Sequence, residues 1–303
     1  MKSLKILLFG KNGQVGWELQ RSLAPLGVLI ALDRQSTEYC GDFTNLVGLA
    51  QTIRDIEPDI IVNAAAHTAV DKAESEPDLA HLINAQAPSV LANEAKRLGA
   101  WLVHYSTDYV FDGSGDKPKY ESEDTAPLSV YGISKLEGEN SVISSGCKHL
   151  IFRTSWVYAA RGSNFAKTML KLAQERDALK VVNDQIGAPT GADLLADVTS
   201  HAIRIALQRD EVGGIYHLVA SGETSWHGYA SYVIEFARNA GIEIKALPDS
   251  IDAVPTSAFT TLAKRPLNSR LDNNKLQNTF DLVLPNWQSG VARMLVEILE
   301  KQS

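Results

Sequence analysis

The run LKILLFGKNGQVGWELQRSL at residues 4–23 constrains the fold more than any other stretch. Its apolar segment ILLF, at 6–9, predicts a strand; Gly10, Gly13 and Gly16 follow, and an amphipathic helical pattern closes the unit. In such a strand-turn-helix the first glycine makes the tight turn, the second lets backbone approach a pyrophosphate, and the third allows helix and strand to touch. The helix N-terminus then turns its unsatisfied amides toward the phosphates. A second apolar strand, VLIALD at 28–33, ends in Asp33, where an acidic side chain bonds the hydroxyls of an adenosine ribose. The plain alternative for the glycines alone is a turn with no ligand; the flanking strands and Asp33 favour a dinucleotide.

Further apolar runs alternate with helical patterns: DIIVNA at 59–64, WLVHYS at 101–106 and HLIFRTSWVY at 149–158, with helices expected near 15–24, 44–56, 84–98 and 129–143. Strands buried on both faces and separated by crossover helices predict an α/β fold with a doubly wound parallel sheet of Rossmann type. Ligands of such sheets sit beyond the carboxyl ends of the strands. Gly10, Asp33, Ala64, Ala65, Ala66, Thr107 and Trp156 all fall there. The second half is less regular. Helices are expected at 164–176, 193–207 and 226–240, strands at 179–183 and 214–219, a loop at DQIGAPTGAD, and a Pro-punctuated stretch at 248–270. No low-complexity linker or internal repeat divides the chain. We therefore expect a dinucleotide-binding domain over 1–157, and over 158–303 mainly a smaller substrate-binding lobe, with some segments returning to the sheet.

Tyr131 and Lys135 stand four residues apart in VYGISK, one helical turn, so a phenol and an ammonium share a face. A fixed positive charge favours the phenolate and draws a Tyr pKa down from about 10, which makes the phenol usable in proton transfer. Thr107, at the end of a buried strand, has a hydroxyl that could hold a carbonyl against that phenol. A Tyr and a Lys at this spacing are also what a solvated helix face carries.

Composition narrows the partners. Hydrophobic residues make up 45% of the 303 positions and charged residues 21%, values of a globular chain able to bury a sizeable core. The net charge of -7 without a long basic run argues against nucleic acid and acidic membrane surfaces. No apolar stretch reaches membrane-spanning length, and MKSLKILLFG reads straight into the first strand, so a cytoplasmic location is expected. Cys40 and Cys147 form no metal-spaced pair. The seven histidines lack the pairing a zinc-protease helix needs, so no catalytic metal is expected, and His104 and His217 read as sheet residues.

The segments GKNGQVG, CGDFTN, VNAAAHTAVDKAE, STDYVFDG, PLSVYGISKLEGE, FRTSWVY, NFAKTML, NDQIGAPTGADLLAD, YHLV and RPLNSRLDNNKL together resemble the extended short-chain dehydrogenase/reductases. The resemblance runs nearly end to end, and is strongest to members acting on a dTDP-linked 4-keto-6-deoxy sugar. It implies NAD(P)H-dependent reduction of the C4 ketone of dTDP-4-dehydro-6-deoxy-L-mannose to dTDP-L-rhamnose. By the same resemblance Gly10, Asn12, Gly13, Gln14, Val15 and Gly16 would hold the dinucleotide phosphates, Asp33 and Arg34 the ribose, Asp42 and Phe43 the adenine, and Ala64, Ala65 and Ala66 the groove. Tyr131 would give its proton to the C4 alkoxide, Lys135 would lower the phenol pKa and bond the nicotinamide ribose, and Thr107 would orient the carbonyl. Val70, Asp71, Asp108, Trp156, Asn164 and Arg265 would line the sugar-nucleotide pocket, although Trp156 also reads as core and Arg265 as a surface charge; a guanidinium suits a diphosphate. Asp33 repels a 2′-phosphate whereas Arg34 could pair with one, so NADH and NADPH both stay open. Glu18, Asp193 and Asp197 are similar to a magnesium-bridged contact of a homodimer, and are equally readable as solvated carboxylates.

Three other activities share parts of these motifs. A 4,6-dehydratase needs a further acid and base, carried in a Thr-Asp-Glu run that here reads Thr107-Asp108-Tyr109. A sugar-nucleotide 4-epimerase would use the same catalytic residues on a tightly held NAD. A non-catalytic regulatory subunit, similar to the partner of methionine adenosyltransferase, would need the dinucleotide site without Thr107, Tyr131 and Lys135 together.

Overall fold

The computed structural model describes residues 3–300. The first half runs β1 (Lys5–Phe9), α1 (Gln14–Leu23), β2 (Val28–Leu32), α2 (Leu46–Ile56), β3 (Ile60–Asn63), α3 (Val70–Ser75), α4 (Pro77–His81), α5 (Ala87–Leu98), β4 (Trp101–Thr107), α6 (Val130–Ser145) and β5 (Lys148–Thr154). There follow β6 (Val157–Tyr158), α7 (Phe165–Glu175), β7 (Leu179–Val182), β8 (Ile186–Gly187), β9 (Thr190–Gly191), α8 (Ala192–Ala206), β10 (Gly214–His217), β11 (Thr224–Ser225), α9 (Trp226–Asn239), β12 (Ile251–Val254), α10 (Asn274–Phe280) and α11 (Trp287–Glu300).

Six strands form one sheet in the order β10-β5-β4-β3-β1-β2, with every pair parallel. Strand side chains alternate between faces, and each face here meets helices. Ile6, Leu8, Ile60, Val62, Val103 and Phe152 pack with Leu19 and Leu23 of α1 and Leu195 and Ala202 of α8. Leu7, Phe9, Ile61, Leu102 and Ile151 pack with Leu49 and Ile53 of α2 and Leu91 and Ala95 of α5. Burial of each large aliphatic side chain contributes about 1.5–3 kcal/mol, which is why these strands read as unbroken apolar runs. The sheet is thus doubly wound, and it takes β10 and the covering helix α8 from beyond residue 158.

Helix starts follow visible caps. Asn45, Ser129, Asn164 and Ser225 accept from the amides of Gly48, Gly132, Lys167 and Gly228, opening α2, α6, α7 and α9. The helix expected at 84–98 begins at Ala87, preceded by a π-helical turn over Leu82–Gln86 that continues from α4. The expected strand HLIFRTSWVY breaks in two. Trp156 adopts a left-handed backbone (φ 50°), so β5 ends at Thr154 and β6 leaves the main sheet to pair with β9. Such a backbone strains a residue with a Cβ, and strain of this kind gathers where a side chain must be aimed. The lobe rests on an aromatic and aliphatic cluster of Tyr158, Tyr229, Val233, Trp287, Val291 and Leu295. Among the described residues no helix is long and apolar enough to cross a membrane.

Candidate active site

Strand order reverses between β1 and β3, and the chain opens a crevice at their carboxyl ends. Gly10 sits there at φ 87°, and a Cβ on it would lie 2.7 Å from the backbone of Ala64; a Cβ on Gly16 would lie 2.0 Å from the carbonyl oxygen of Gly10. These two glycines are therefore demanded by the protein's own packing. Gly13 is not: its nearest neighbour would be 3.4 Å away, which leaves space above the turn for a ligand. No side chain caps α1, so its first amides keep their capacity to bind an anion. That uncapped terminus over an open glycine fits a dinucleotide diphosphate.

Two cavities meet at this turn through Gly13, Ala64, Ala65 and Ala66. The first, about 600 Å³, is walled by Gly10, Asn12, Asp33, Arg34, Asp42 and Phe43. Asp33 accepts from the Gln35 amide at 2.9 Å and the Ser36 hydroxyl at 3.1 Å, and from the Asn12 side chain. Burial works against its charge, yet these donors outweigh it and hold the carboxyl below its usual pKa. Asp33 is thus ionised at the place where ribose hydroxyls would arrive.

The second cavity, about 420 Å³, is bounded by Gln14, Val15, Val70, Thr107, Asp108, Tyr131, Lys135 and Trp156. Tyr131 and Lys135 are 9% and 2% exposed, so the pair does not belong to a solvated helix face. Thr107 donates to Asp108 Oδ1 at 3.0 Å and accepts from the Tyr109 amide at 3.2 Å. Desolvation pushes the Tyr131 phenol up to about 12, opposed by a hydrogen bond to Thr107 and reinforced by the charge of Asp108. Lys135 Nζ donates to the Tyr105 carbonyl at 2.6 Å, beneath the cavity, and burial brings the amine itself down to about 8 against the pull of Glu139. Asp108 is raised to about 6, again by desolvation.

Asp71, Asn164 and Arg265 are absent from both cavity walls. Asp71 instead pairs with Arg265 at 2.7 Å and accepts from the Ala263 amide at 3.1 Å, tying α3 to the Pro-punctuated stretch. Asn164 caps α7 and donates to the Ala159 carbonyl at 2.7 Å. Glu18, Asp193 and Asp197 form no metal cluster, and no such group exists among the described residues. Arginines neutralise these carboxylates where a cation was expected: Arg293 meets Asp193 at 2.6 Å, while Arg21 meets Asp197 at 2.8 Å and Glu18 at 3.6 Å.

Sequence reading missed Trp226. It stacks on Trp156 with ring centroids 3.6 Å apart, and together the two indoles wall the second cavity. Its Nε1 donates to Gln185 at 3.0 Å. Seventy residues separate the two tryptophans and no local pattern joins them; the rings meet through the tertiary packing of α9 and the left-handed Trp156. Asn63, Thr68, Tyr105, Ser106 and Ser155 also reach this cavity. Their signal was position alone, at or near the carboxyl ends of β3, β4 and β5.

Residues 4–300 match the family described as RmlD substrate binding domain. The chain is 63% identical to the dTDP-4-dehydrorhamnose reductase of Escherichia coli (strain K12), over 97% of this chain and 98% of that protein. The crystal structure of a dTDP-4-dehydrorhamnose reductase from Clostridium acetobutylicum superposes with a TM-score of 0.87 at 36% identity, covering 98% of this chain and 100% of that one. The Bacillus anthracis enzyme, solved in complex with NADP, superposes at 0.86 with 35% identity and the same coverage. With an uncapped glycine turn, an ionised Asp33, and Thr107, Tyr131 and Lys135 around one crevice, this chain belongs to the dTDP-4-dehydrorhamnose reductase family.

Proposed function

We propose that the protein reduces the C4 ketone of dTDP-4-dehydro-6-deoxy-L-mannose to the alcohol of dTDP-L-rhamnose, with NADH or NADPH as reductant. The observation that carries this reading is the meeting of the two cavities at Gly13 and Ala64 to Ala66, with Tyr131 and Thr107 in the second. A bound reduced nicotinamide supplies hydride to a carbonyl carbon. The chain's own residues do the rest. Thr107 offers a hydroxyl to orient the C4 carbonyl, and Tyr131, protonated at neutral pH by its burial, gives its proton to the nascent C4 oxygen. Lys135, still largely charged at pH 7, offsets the phenolate left behind. The stacked indoles of Trp156 and Trp226 present a flat apolar wall that excludes water from the reacting carbon. Two unpaired cysteines, Cys40 and Cys147, suit a reducing cytoplasm.

Reduction is favoured over dehydration by Tyr109. Burial keeps this phenol above its ordinary pKa, and its ring packs edge-on against Tyr131 at 5.4 Å, so it cannot replace the carboxylate that elimination needs. The test is incubation with the L-configured 4-keto sugar nucleotide, following nicotinamide oxidation and the sugar by NMR. One reduced nicotinamide is consumed per C4 alcohol formed, and dTDP-glucose with NAD yields no 4-keto-6-deoxy product. Absence of the first or presence of the second overturns the reading.

Cofactor choice follows from Asp33 and Arg34, which share the first cavity. Asp33→Ala is expected to raise the preference for NADPH over NADH, by removing a charge that repels a 2′-phosphate. Arg34→Ala moves the preference the opposite way. Ratios of kcat/KM for the two cofactors decide it, and equal effects of both changes on both cofactors sink the assignment.

A further inference from the structure

Behind Lys135 lies a buried chain of hydrogen bonds whose direction is set by a backbone amide. The Ala65 amide donates to Asn63 Oδ1 at 3.0 Å, so the Asn63 carboxamide is oriented with Nδ2 toward His104 Nδ1, also at 3.0 Å. An amide nitrogen only donates, so His104 Nδ1 accepts. A neutral imidazole with an accepting Nδ1 carries its proton on Nε2. That Nε2 faces Lys135 Nζ at 3.5 Å, the long end of hydrogen-bond range, while Nζ donates to the Tyr105 carbonyl at 2.6 Å. An Nε2–H directed at Nζ is satisfied by the lone pair of an amine and opposed by an ammonium.

We propose that His104, locked by Asn63 as its Nε2–H tautomer, is a positioning residue that holds the Lys135 nitrogen in place and favours its uncharged form. The inference rests on the reading of Lys135 as part of the catalytic set. His104 and Asn63 are each 1% exposed, so both contacts are buried. Burial and the nearby Lys135 keep His104 well below the usual imidazole range, which leaves the ring neutral. The groups facing Lys135 are His104 and the Tyr105 carbonyl from β4, with Tyr131 and Glu139 along its own helix. Burial lowers the lysine first; against that background Glu139 pulls toward the ammonium and His104 toward the amine. The chain begins at the Ala65 amide in the wall of both cavities. A ligand that moves this backbone therefore acts on Lys135 through Asn63 and His104.

The tautomer is measured directly on the full chain with ¹⁵N-labelled histidine, ligand-free and saturated with NADP⁺. His104 is expected as the Nε2–H form between about pH 6 and 9; an Nδ1–H ring or an imidazolium in that range overturns the proposal. Lys135 is then titrated by NMR of labelled lysine in His104→Gln, whose amide can still donate toward Nζ, and in His104→Leu, which cannot. The Leu variant is expected to raise the Lys135 titration by about one unit, the equivalent of one net hydrogen bond, with the Gln variant close to wild type. A merely structural histidine leaves the titration unmoved in both, and that result also overturns the proposal. If His104→Leu does not fold, the wild-type tautomer still decides. Neither measurement uses turnover, so failure of the ketone-reduction assay and failure of this inference are separate outcomes.

Discussion

Tyr131→Phe is expected to lower kcat by about 10²- to 10⁴-fold while leaving cofactor affinity within a few fold, because the ring stays and only the proton donor goes. The ring's place supports this split. It is buried against Ala73 and Ala80 and edge-on to Tyr109, contacts that a phenylalanine keeps. The hydroxyl faces Thr107 and Asp108, whose effects on its titration are opposite in sign. With a phenol pKa near 12 the acid form is fully populated across the physiological range, so wild-type rate should not fall at neutral pH through loss of this proton. Steady-state rates with the C4 ketone and tight-binding titration of the reduced cofactor check both halves. A Phe variant within a few fold of wild-type kcat would remove Tyr131 from the role of acid.

Glu139→Ala is expected to destabilise the fold by about 3–5 kcal/mol, the usual cost of leaving one member of a buried ion pair without its partner. Arg153 and Glu139 are 3% and 1% exposed, with Nη2 to Oε2 at 2.6 Å and Nε to Oε1 at 2.9 Å, a two-point contact between β5 and α6. The guanidinium also lies over the Phe111 ring, 5.1 Å from its centroid. Removing the carboxylate strands a cation in the interior. Replacing both residues by Met should recover much of the loss, since two apolar side chains of similar size need no pairing. Equilibrium denaturation of the single and double variants measures this, and a single-variant loss below about 1 kcal/mol would mean that water reaches the arginine.

Much of this was legible in the chain before any coordinates. Apolar runs of β1 to β5, the glycine spacing and Asp33 specify the dinucleotide crevice, because strand burial and tight turns are local demands that leave a local pattern. Tyr131 and Lys135 were visible for the same reason, being one helical turn apart. What could not be read was where their charges point. Spacing along a helix puts Lys135 beside Tyr131, but the lysine's 2.6 Å bond to a carbonyl of β4 depends on how α6 packs across the sheet.

The remaining differences are mostly long-range. Trp156 looked like a continuation of β5, since an aromatic in an apolar run has strand propensity; in the structure its backbone is left-handed and the β6 that follows pairs with β9 instead. Arg265 and Asp71 looked like two separate ligands, yet with 194 positions between them they form one ion pair. Glu18, Asp193 and Asp197 looked like a shared cation site, yet Arg21, one turn after Glu18 on α1, reaches across to Asp197, and Arg293 of α11 takes Asp193. The sequence by itself marked the strands, the glycine turn and the candidate reacting groups, each read from residues within a few positions of one another. Tertiary structure alone decided which charges are paired, which rings stack and which way the hydrogen bonds behind Lys135 run, because those depend on surfaces meeting across the fold.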